Sequence, residues 1–227
     1  MLIIYKGIGK SYDLLKRSCN FANKKAMKKY INSLEESKGY YLNLVVEFQD
    51  TFYDNPDYFF FMSSAINRAM NINRGFITLT KDDNYSCAIP LMRLMIDNCL
   101  RFWGISLVDD QHEYIRVWGS GEKIRAMKDR NGNKLTDKYL SESFALLYRG
   151  VDKTYNDACA FVHFSEQNLY ITAKVDKNKE RRVNLRIDGY DHLPDATKGN
   201  IDKWMLYFNN VLIDVIRAIS KTFLSYQ

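Results

Sequence analysis

The stretch YSCAIPLMRLMIDNCLRFWGISL, residues 85–107, decides the fold, because it has less polar surface than any other helical segment of the chain. Placed on a helix at about 100° per residue, its apolar side chains cover all but a narrow strip of the surface. We therefore expect it to be the most buried helix of the protein. The remaining strip carries five residues: Ser86, Pro90, Arg93, Asp97 and Arg101.

Arg93, Asp97 and Arg101 follow one another at intervals of four residues, so this charged strip runs along successive turns of one face. In one interpretation the charged strip contacts water and is held by ion pairs along the helix. In the other it is partly buried and orients a phosphate or the imidazole of His163, since an arginine fork suits both uses. The second interpretation predicts that Arg93 and Asp97 pair and approach the helix that contains His163.

The composition indicates one compact domain over residues 1–227. With 3 prolines and 11 glycines the chain has little material for long linkers, and its length is that of one large domain with a sizeable core. The formal net charge of +6 favours an acidic partner such as RNA, DNA or another protein, although the same charge also serves solubility.

The sequence predicts a cytoplasmic protein without membrane contact. The start MLIIYKGIGK has too short an apolar run for a secretory signal, and no segment offers the ~18 uncharged apolar residues that a membrane span needs. Four cysteines lie far apart, and the last three fall in apolar helical patterns that are typical of buried thiols in a reducing compartment. These cysteines are Cys19, Cys87, Cys99 and Cys159.

The chain contains no pattern typical of a metal or cofactor site. The histidines at positions 112, 163 and 192 lack metal-ligand spacing, and no pair of cysteines is separated by only two residues. We therefore expect neither a metal nor a cofactor.

The N-terminal half is predicted to be helical. Residues 11–52 indicate one long helix or two consecutive helices with a break at Gly39, which together form the N-terminal helices within residues 1–52. Asn55 as the N-cap and Pro56 at the first helical position predict a helix that runs towards Thr78. The polar residues 82–84 then cap the central helix, and Thr136 caps a later one.

A basic cluster lies in the N-terminal helices, formed by Lys24, Lys25, Lys28 and Lys29. Lysines at this spacing are most often a solvated helix face, and binding of phosphate is the alternative.

Towards the C-terminus the period of the apolar residues changes from about 3.6 to 2. The residues with the shorter period flank a charged turn at residues 177–182, which predicts a β-hairpin inserted at residues 166–190. A long helix over residues 197–225 follows, and its apolar stripe predicts lengthwise packing on other helices. The predicted fold class is therefore mainly α, a helical bundle with a small β-hairpin before the C-terminal helix.

His163 is the leading candidate for chemistry. The predicted helix over residues 152–164 places it on one face with Asn156, Cys159 and Gln167. A histidine with polar neighbours can take and return a proton near neutral pH, as general acid and base catalysis requires. The alternative is a structural histidine that bonds to a carbonyl at the helix end.

A resemblance to a known family rests on three short segments. They are residues 134–140, KLTDKYL, residues 161–165, FVHFS, and residues 91–97, LMRLMID, with Tyr155 between the first two. Together they resemble a family of uncharacterised bacterial helical proteins, which in turn resembles the HEPN domains of abortive-infection proteins and toxins. The resemblance covers roughly residues 66–165.

This resemblance implies a helical bundle, often a homodimer, that cleaves RNA without a metal as part of bacterial stress or phage defence. His163 would be the catalytic histidine, and Arg93 or Arg101 would stabilise the charge on the phosphorane. Asp97, Arg101 and Asn156 would support the site.

The chain departs from the family pattern at one point. HEPN nucleases carry an arginine a few positions before the histidine on the same helix, whereas here residues 156–159 are Asn, Asp, Ala and Cys. Asn156 fits the polar position that often follows that arginine, and Arg93 would have to supply the charge from a neighbouring helix. The competing hypothesis is a non-catalytic helical module that binds a protein or nucleic acid.

Overall fold

The structure of the protein, a computed structural model, describes residues 24–163, 165, 173–175, 183–185, 189, 191 and 193–225. Helices account for most of these residues, which confirms the mainly helical fold class. In chain order they are α1 Lys24–Glu47, α2 Thr51–Asp54, α3 Pro56–Lys81, α4 Tyr85–Gly104, α5 Gln111–Gly119, α6 Asp137–Ala145, α7 Val151–Val162 and α8 Asp195–Ser225. Short 3-10 turns occur at Ile105–Leu107 and Ile124–Ala126.

Helix α4 is the centre of the bundle, because it packs against α3, α7 and α8. Only Cys87 and Leu94 are exposed among its 20 residues, whereas seven described residues of α8 and ten of α3 are exposed. The expectation that α4 is the most buried helix is therefore confirmed. One continuous hydrophobic core joins it to residues of α1, α3, α5, α6, α7 and α8.

Helix α1 runs through Gly39 without interruption, so the break at Gly39, one of the two alternatives for this segment, is wrong. Glycine in a helix interior costs roughly 1 kcal/mol relative to alanine. The residues on either side of Gly39 outweigh this cost, since Leu34, Tyr41 and Leu44 are all buried in the core. Residues 1–23, which include the first part of the predicted N-terminal helices, lie outside the described residues.

The predicted helix starts are largely confirmed. The side chain of Asn84 accepts a hydrogen bond from Cys87 N–H at the start of α4, and that of Thr136 accepts one from Tyr139 N–H at the start of α6. Helix α3 begins at Pro56 as predicted, but Asn55 makes no side-chain capping bond. Its buried Nδ2 atom has no hydrogen-bond partner among the described residues.

Gly150 separates α6 from α7. Its φ of +85° lies in the left-handed region, and an added Cβ would meet the Trp204 ring at 2.9 Å. A residue with a side chain would therefore be strained there for two independent reasons.

Two short segments, Ala173–Val175 and Val183–Leu185, pair antiparallel with Lys174 opposite Asn184. Most of the predicted hairpin at residues 166–190, including the charged turn, lies outside the described residues. The hairpin as a whole stays a prediction.

The cysteines differ more than their patterns indicate. Cys99 is buried and Cys159 is partly buried, but Cys87 is exposed, so the expectation of a buried thiol at Cys87 is wrong. Cys19 lies outside the described residues. Among the described helices, none is both long and apolar enough to cross a membrane.

Candidate functional site

The charged strip forms a cluster around the carboxylate of Asp97. Arg93 Nη1 lies 3.5 Å and Arg101 Nε 3.9 Å from Asp97 Oδ1, both from the next turns of α4. Arg68 of α3 adds a third guanidinium, with its Nη2 atom 3.6 Å from Asp97 Oδ2. One carboxylate thus faces three arginines, and this site is rich in positive charge.

Arg93 links α4 to α7. Its Nε donates to Cys159 Sγ at 3.0 Å, and its Nη2 donates to the hydroxyl of Tyr155. The guanidinium carbon also lies 3.9 Å from the centre of the Tyr155 ring, a cation–π contact. Burial lowers the pKa of Arg93, but the contacts with Cys159, Tyr155 and Asp97 outweigh it and raise that pKa.

The predicted pairing of Arg93 with Asp97, and its approach to the helix before His163, are therefore confirmed. The side chain of Arg93 is only 17% exposed. Its contacts are those of an anchor between two helices, and the charged strip is partly buried rather than simply solvated.

Arg101 links α4 to the start of α6. It donates through Nη2 to the carboxylate of Asp137, in the first turn of α6, and through Nη1 to the carbonyl oxygen of Leu135 at 3.4 Å. The Asp137 carboxylate also lies at the positive end of the α6 dipole. The negative charge of Asp137 offsets the positive charge of Arg101. Arg68 and Arg93 therefore contribute most of the positive charge around Asp97.

His163 lies just beyond the last residue of α7, and the expectation that it belongs to a helical face is wrong. Its backbone is extended, with φ −94° and ψ 145°, and its N–H donates to the carbonyl oxygen of Cys159 at 3.1 Å. The residue is exposed, as is Asn156. Gln167, which was expected to share its face, lies outside the described residues.

Arg93 and His163 approach the same turn of α7, since Arg93 contacts the side chain of Cys159 and His163 its carbonyl group. They do so through different atoms, and the guanidinium of Arg93 is engaged by Tyr155 and Cys159. The structure therefore brings Arg93, Asp97 and Arg101 together, while His163 and Asn156 lie at the surface of α7.

A cavity of about 410 Å³ opens beside Asp97, between α3, α4 and the segment after α5. We call it the arginine cavity, because its wall includes Arg68, Arg101, Lys123 and Arg125. Its acidic groups are Asp97 and Glu122, and Glu122 is paired with Arg116 at 3.1 Å. Positive charge therefore exceeds negative charge in its wall.

Three aromatic residues form the apolar wall of the arginine cavity. Phe61 stacks on Phe102 with ring centres 5.0 Å apart, and Trp118 lies nearly perpendicular to Phe61 at 5.1 Å. Phe61 and Phe102 are buried and Trp118 is partly exposed, so Trp118 is the ring of this wall that a ligand can reach. A cavity with aromatic and cationic walls suits a planar group that carries negative charge.

Sequence reasoning missed Arg68, Lys123 and Arg125. Arg68 is one of many polar residues on the outer face of α3, and its spacing does not indicate that it faces Asp97. Lys123 and Arg125 lie in a segment that contains only a short 3-10 turn. No periodicity could have marked them, because loops have none.

No family model, curated protein or solved structure matches the chain. In the part of the chain that the structure describes, no group of three or more His, Cys, Asp or Glu residues could hold a metal ion.

Proposed function

We propose that this chain is a HEPN-like helical protein of bacterial stress or phage defence, and that it binds single-stranded RNA at the arginine cavity. The proposed architecture includes the β-hairpin at residues 166–190 as an insertion before α8. The observation that carries the proposal is the excess of cationic over acidic side chains in the wall of the open arginine cavity.

The physical basis is the match between the cavity walls and a nucleotide of a flexible strand. Arginine and lysine neutralise phosphates, and aromatic side chains stack on unpaired bases. Lys123 and Arg125 are exposed at the cavity and can meet a phosphate without losing an internal ion pair that holds the bundle. The net charge of +6 adds a general attraction to RNA.

In this proposal Arg93 is a structural anchor. A catalytic arginine must direct its donors at the phosphorane, whereas Arg93 donates to Cys159 and Tyr155 within the bundle. The geometry therefore favours binding over cleavage.

The test is a titration of labelled single-stranded RNA with the full chain at several salt concentrations. If about three to four cations contact phosphates, the logarithm of the affinity falls with the logarithm of salt with a slope of about −2 to −3. The double variant Lys123→Gln, Arg125→Gln is expected to bind at least about 10-fold more weakly.

The matched control is Lys28→Gln, Lys29→Gln, which removes the same charge from exposed positions of α1. It should change the affinity by less than about threefold. A larger loss of affinity in the α1 variant than in the cavity variant would mean that RNA binds at the basic cluster and not at the arginine cavity. No binding by the wild-type chain would overturn the proposal.

A second candidate function, metal-independent RNA cleavage, is favoured by the exposure of His163. An exposed imidazole can reach a substrate, and it could move the proton of a ribose 2′-hydroxyl while that group attacks the adjacent phosphate. The leaving 5′-oxygen would take a proton in return, and a cyclic phosphate would remain.

Cleavage is tested with the same RNA in EDTA. If His163 is catalytic, the wild-type chain yields cyclic phosphate ends, the folded His163→Ala variant loses cleavage by at least about 100-fold, and His112→Ala retains it. His112 is a suitable control because it is also exposed and its ring packs in a T-shaped contact with Phe223. RNA binding without any cleavage would leave the binding module as the function.

A further inference from the structure

A second cavity of about 410 Å³ lies between α1 and α3, and it is independent of the arginine cavity. Its volume is within the range of small-molecule sites. Leu34, Met70 and Ile77 give it an apolar wall, and side chains with amide, hydroxyl and charged groups give it a polar one. A mixed lining of this kind suits a small molecule with both aliphatic and polar parts.

The polar wall includes Asn73, which is 4% exposed. Its Nδ2 group donates to Ser37 Oγ at 3.1 Å and to Asn209 Oδ1 at 2.6 Å. Its Oδ1 atom is buried and has no hydrogen-bond partner among the described residues. An acceptor that is buried without a donor is costly, and most such atoms in proteins have a partner.

The orientation of this amide follows from its neighbours. The Ser37 hydroxyl already donates a hydrogen bond to the carbonyl oxygen of Leu34 at 2.6 Å. Asn209 Oδ1 also accepts a hydrogen bond from the Tyr41 hydroxyl. The Asn209 amide is held in this orientation because its Nδ2 group donates to Asn210 Oδ1 at 3.3 Å, so rotating the Asn73 amide by half a turn would place its oxygen against Asn209 Oδ1. Oδ1 is therefore the group that lacks a donor, and because it has almost no accessible surface, a ligand with an N–H or O–H group reaches it when the Asn73 side chain shifts towards the cavity.

The charged residues of this cavity favour an anion. Lys38 and Arg74 are exposed cations, while the acidic Glu35 is engaged by Lys81 Nζ at 2.5 Å. Arg74 uses Nη2 to donate to Asn71 Oδ1 at 3.2 Å, which leaves other guanidinium donors for a carboxylate.

We propose that the cavity between α1 and α3 binds a small aliphatic carboxylic acid that carries an amide N–H or hydroxyl group. The donor bonds to Asn73 Oδ1, the aliphatic part packs on Leu34, Met70 and Ile77, and the carboxylate pairs with Arg74 or Lys38. This site is separate from RNA binding, so either proposal stands or falls without the other.

The test uses three matched probes and thermal unfolding of the full chain, followed by titration calorimetry. N-acetyl-L-leucine carries the amide N–H, the aliphatic chain and the carboxylate. In N-acetyl-N-methyl-L-leucine a methyl group replaces the N–H hydrogen, and in N-acetyl-L-leucinamide a neutral carboxamide replaces the carboxylate. The first probe is expected to raise the Tm and to bind at least about 10-fold more tightly than either of the others.

Two variants connect the binding to this cavity. Arg74→Gln removes an exposed charge and should weaken N-acetyl-L-leucine about 10-fold, while Met70→Trp fills the apolar wall and should abolish binding. Lys28→Gln, an exposed position of α1 outside this lining, is the control and should leave binding unchanged.

The proposal is overturned if the three probes bind equally, if none of them binds, or if neither Arg74→Gln nor Met70→Trp weakens binding. A crystal of the chain soaked with N-acetyl-L-leucine that shows only a water molecule at Asn73 Oδ1 would also overturn it. Because the N-methyl probe tests the acceptor directly, the result does not require a variant of Asn73 that folds.

Discussion

Two carboxylates near the central helix have opposite surroundings. Asp97 of α4 lies within 4 Å of guanidinium groups from Arg68, Arg93 and Arg101, and its side chain is 20% exposed. Asp202 of α8 is fully buried, and its Oδ2 accepts one hydrogen bond from the Tyr85 hydroxyl at 3.2 Å. Its Oδ1 has no hydrogen-bond partner among the described residues.

The difference is one of charge compensation rather than burial alone. Lys198 precedes Asp202 by one turn of α8, but its Nζ lies 2.5 Å from Asp83. Burial raises the pKa of Asp202 to about 7, and the hydrogen bond from Tyr85 offsets only part of this effect. Asp97, whose charge is compensated by arginines, therefore lies beside a cavity, whereas Asp202, whose charge is not compensated, lies in the core.

The largest expected effect concerns the pH dependence of stability at Asp202. The folded-state pKa is raised from 3.8 to about 7, so the folded protein binds the proton more tightly than the unfolded chain. This contribution is fully present below about pH 4 and is lost as the pH rises through about 7, with a total of about 4 kcal/mol. Asp202→Asn removes it, and urea unfolding of both proteins from pH 4 to 8 measures the difference.

The free energy of unfolding of the wild-type chain should fall relative to that of Asp202→Asn across this pH range. The amide oxygen introduced by this substitution can still accept a hydrogen bond from the Tyr85 hydroxyl, so the comparison measures the effect of the negative charge alone. Parallel pH profiles for the two proteins would mean that Asp202 is as well compensated as Asp97, and the contrast would fail.

The second prediction tests the compensated carboxylate. Asp97→Ala leaves Arg68, Arg93 and Arg101 close together without their shared counter-charge, and it should lower the free energy of unfolding by about 2–3 kcal/mol at low salt. Added salt should reduce this loss by screening the arginines. Chemical denaturation at two salt concentrations measures both effects.

Asp109→Ala is the control for this variant, because Asp109 is a largely exposed partner of Arg130 and its loss should cost less than about 0.5 kcal/mol. Equal effects at Asp97 and Asp109 would mean that the three ion pairs of Asp97 stabilise the fold no more than a surface ion pair does.

The smallest expected effect sharpens the role of Arg93. Tyr155→Phe removes the hydroxyl that accepts from Arg93 Nη2 but keeps the ring beside the guanidinium. The expected loss is about 1 kcal/mol of unfolding free energy. The control Tyr40→Phe, at an exposed position of α1, should change stability by less than about 0.5 kcal/mol. A loss of unfolding free energy of the same size in both variants would contradict the role of Arg93 as an anchor between α4 and α7.

Local periodicity predicted one of the two carboxylate environments and missed the other. The pairing of Arg93 with Asp97 follows from a spacing of four residues on one helix, so it could be predicted. Arg68 and Asp202 owe their roles to neighbours on other helices, and spacing along one helix carries no information on such contacts. Asp202 directly follows Ile201 in an otherwise ordinary amphipathic pattern.

The errors in predicting the helices have the same origin. A break at Gly39 was one of two alternatives for its segment, and the packing of Tyr41 and Leu44 outweighs the weak helix propensity of glycine. The end of α7 at Val162 has no proline or glycine to mark it, and the apolar pattern continues to Phe164. His163 was therefore expected on a helix that has already ended.

The link between α6 and α7 has a left-handed backbone conformation at Gly150. Its φ of +85° is unfavourable for an L-amino acid, and an L-Cβ would meet Trp204 of α8 at 2.9 Å. A D-alanine, introduced by chemical ligation, has the mirror-image backbone preference and directs its methyl group to the other side of the chain. This position therefore distinguishes the two enantiomers of alanine, and a D-residue there would make the link stiffer than the natural glycine does.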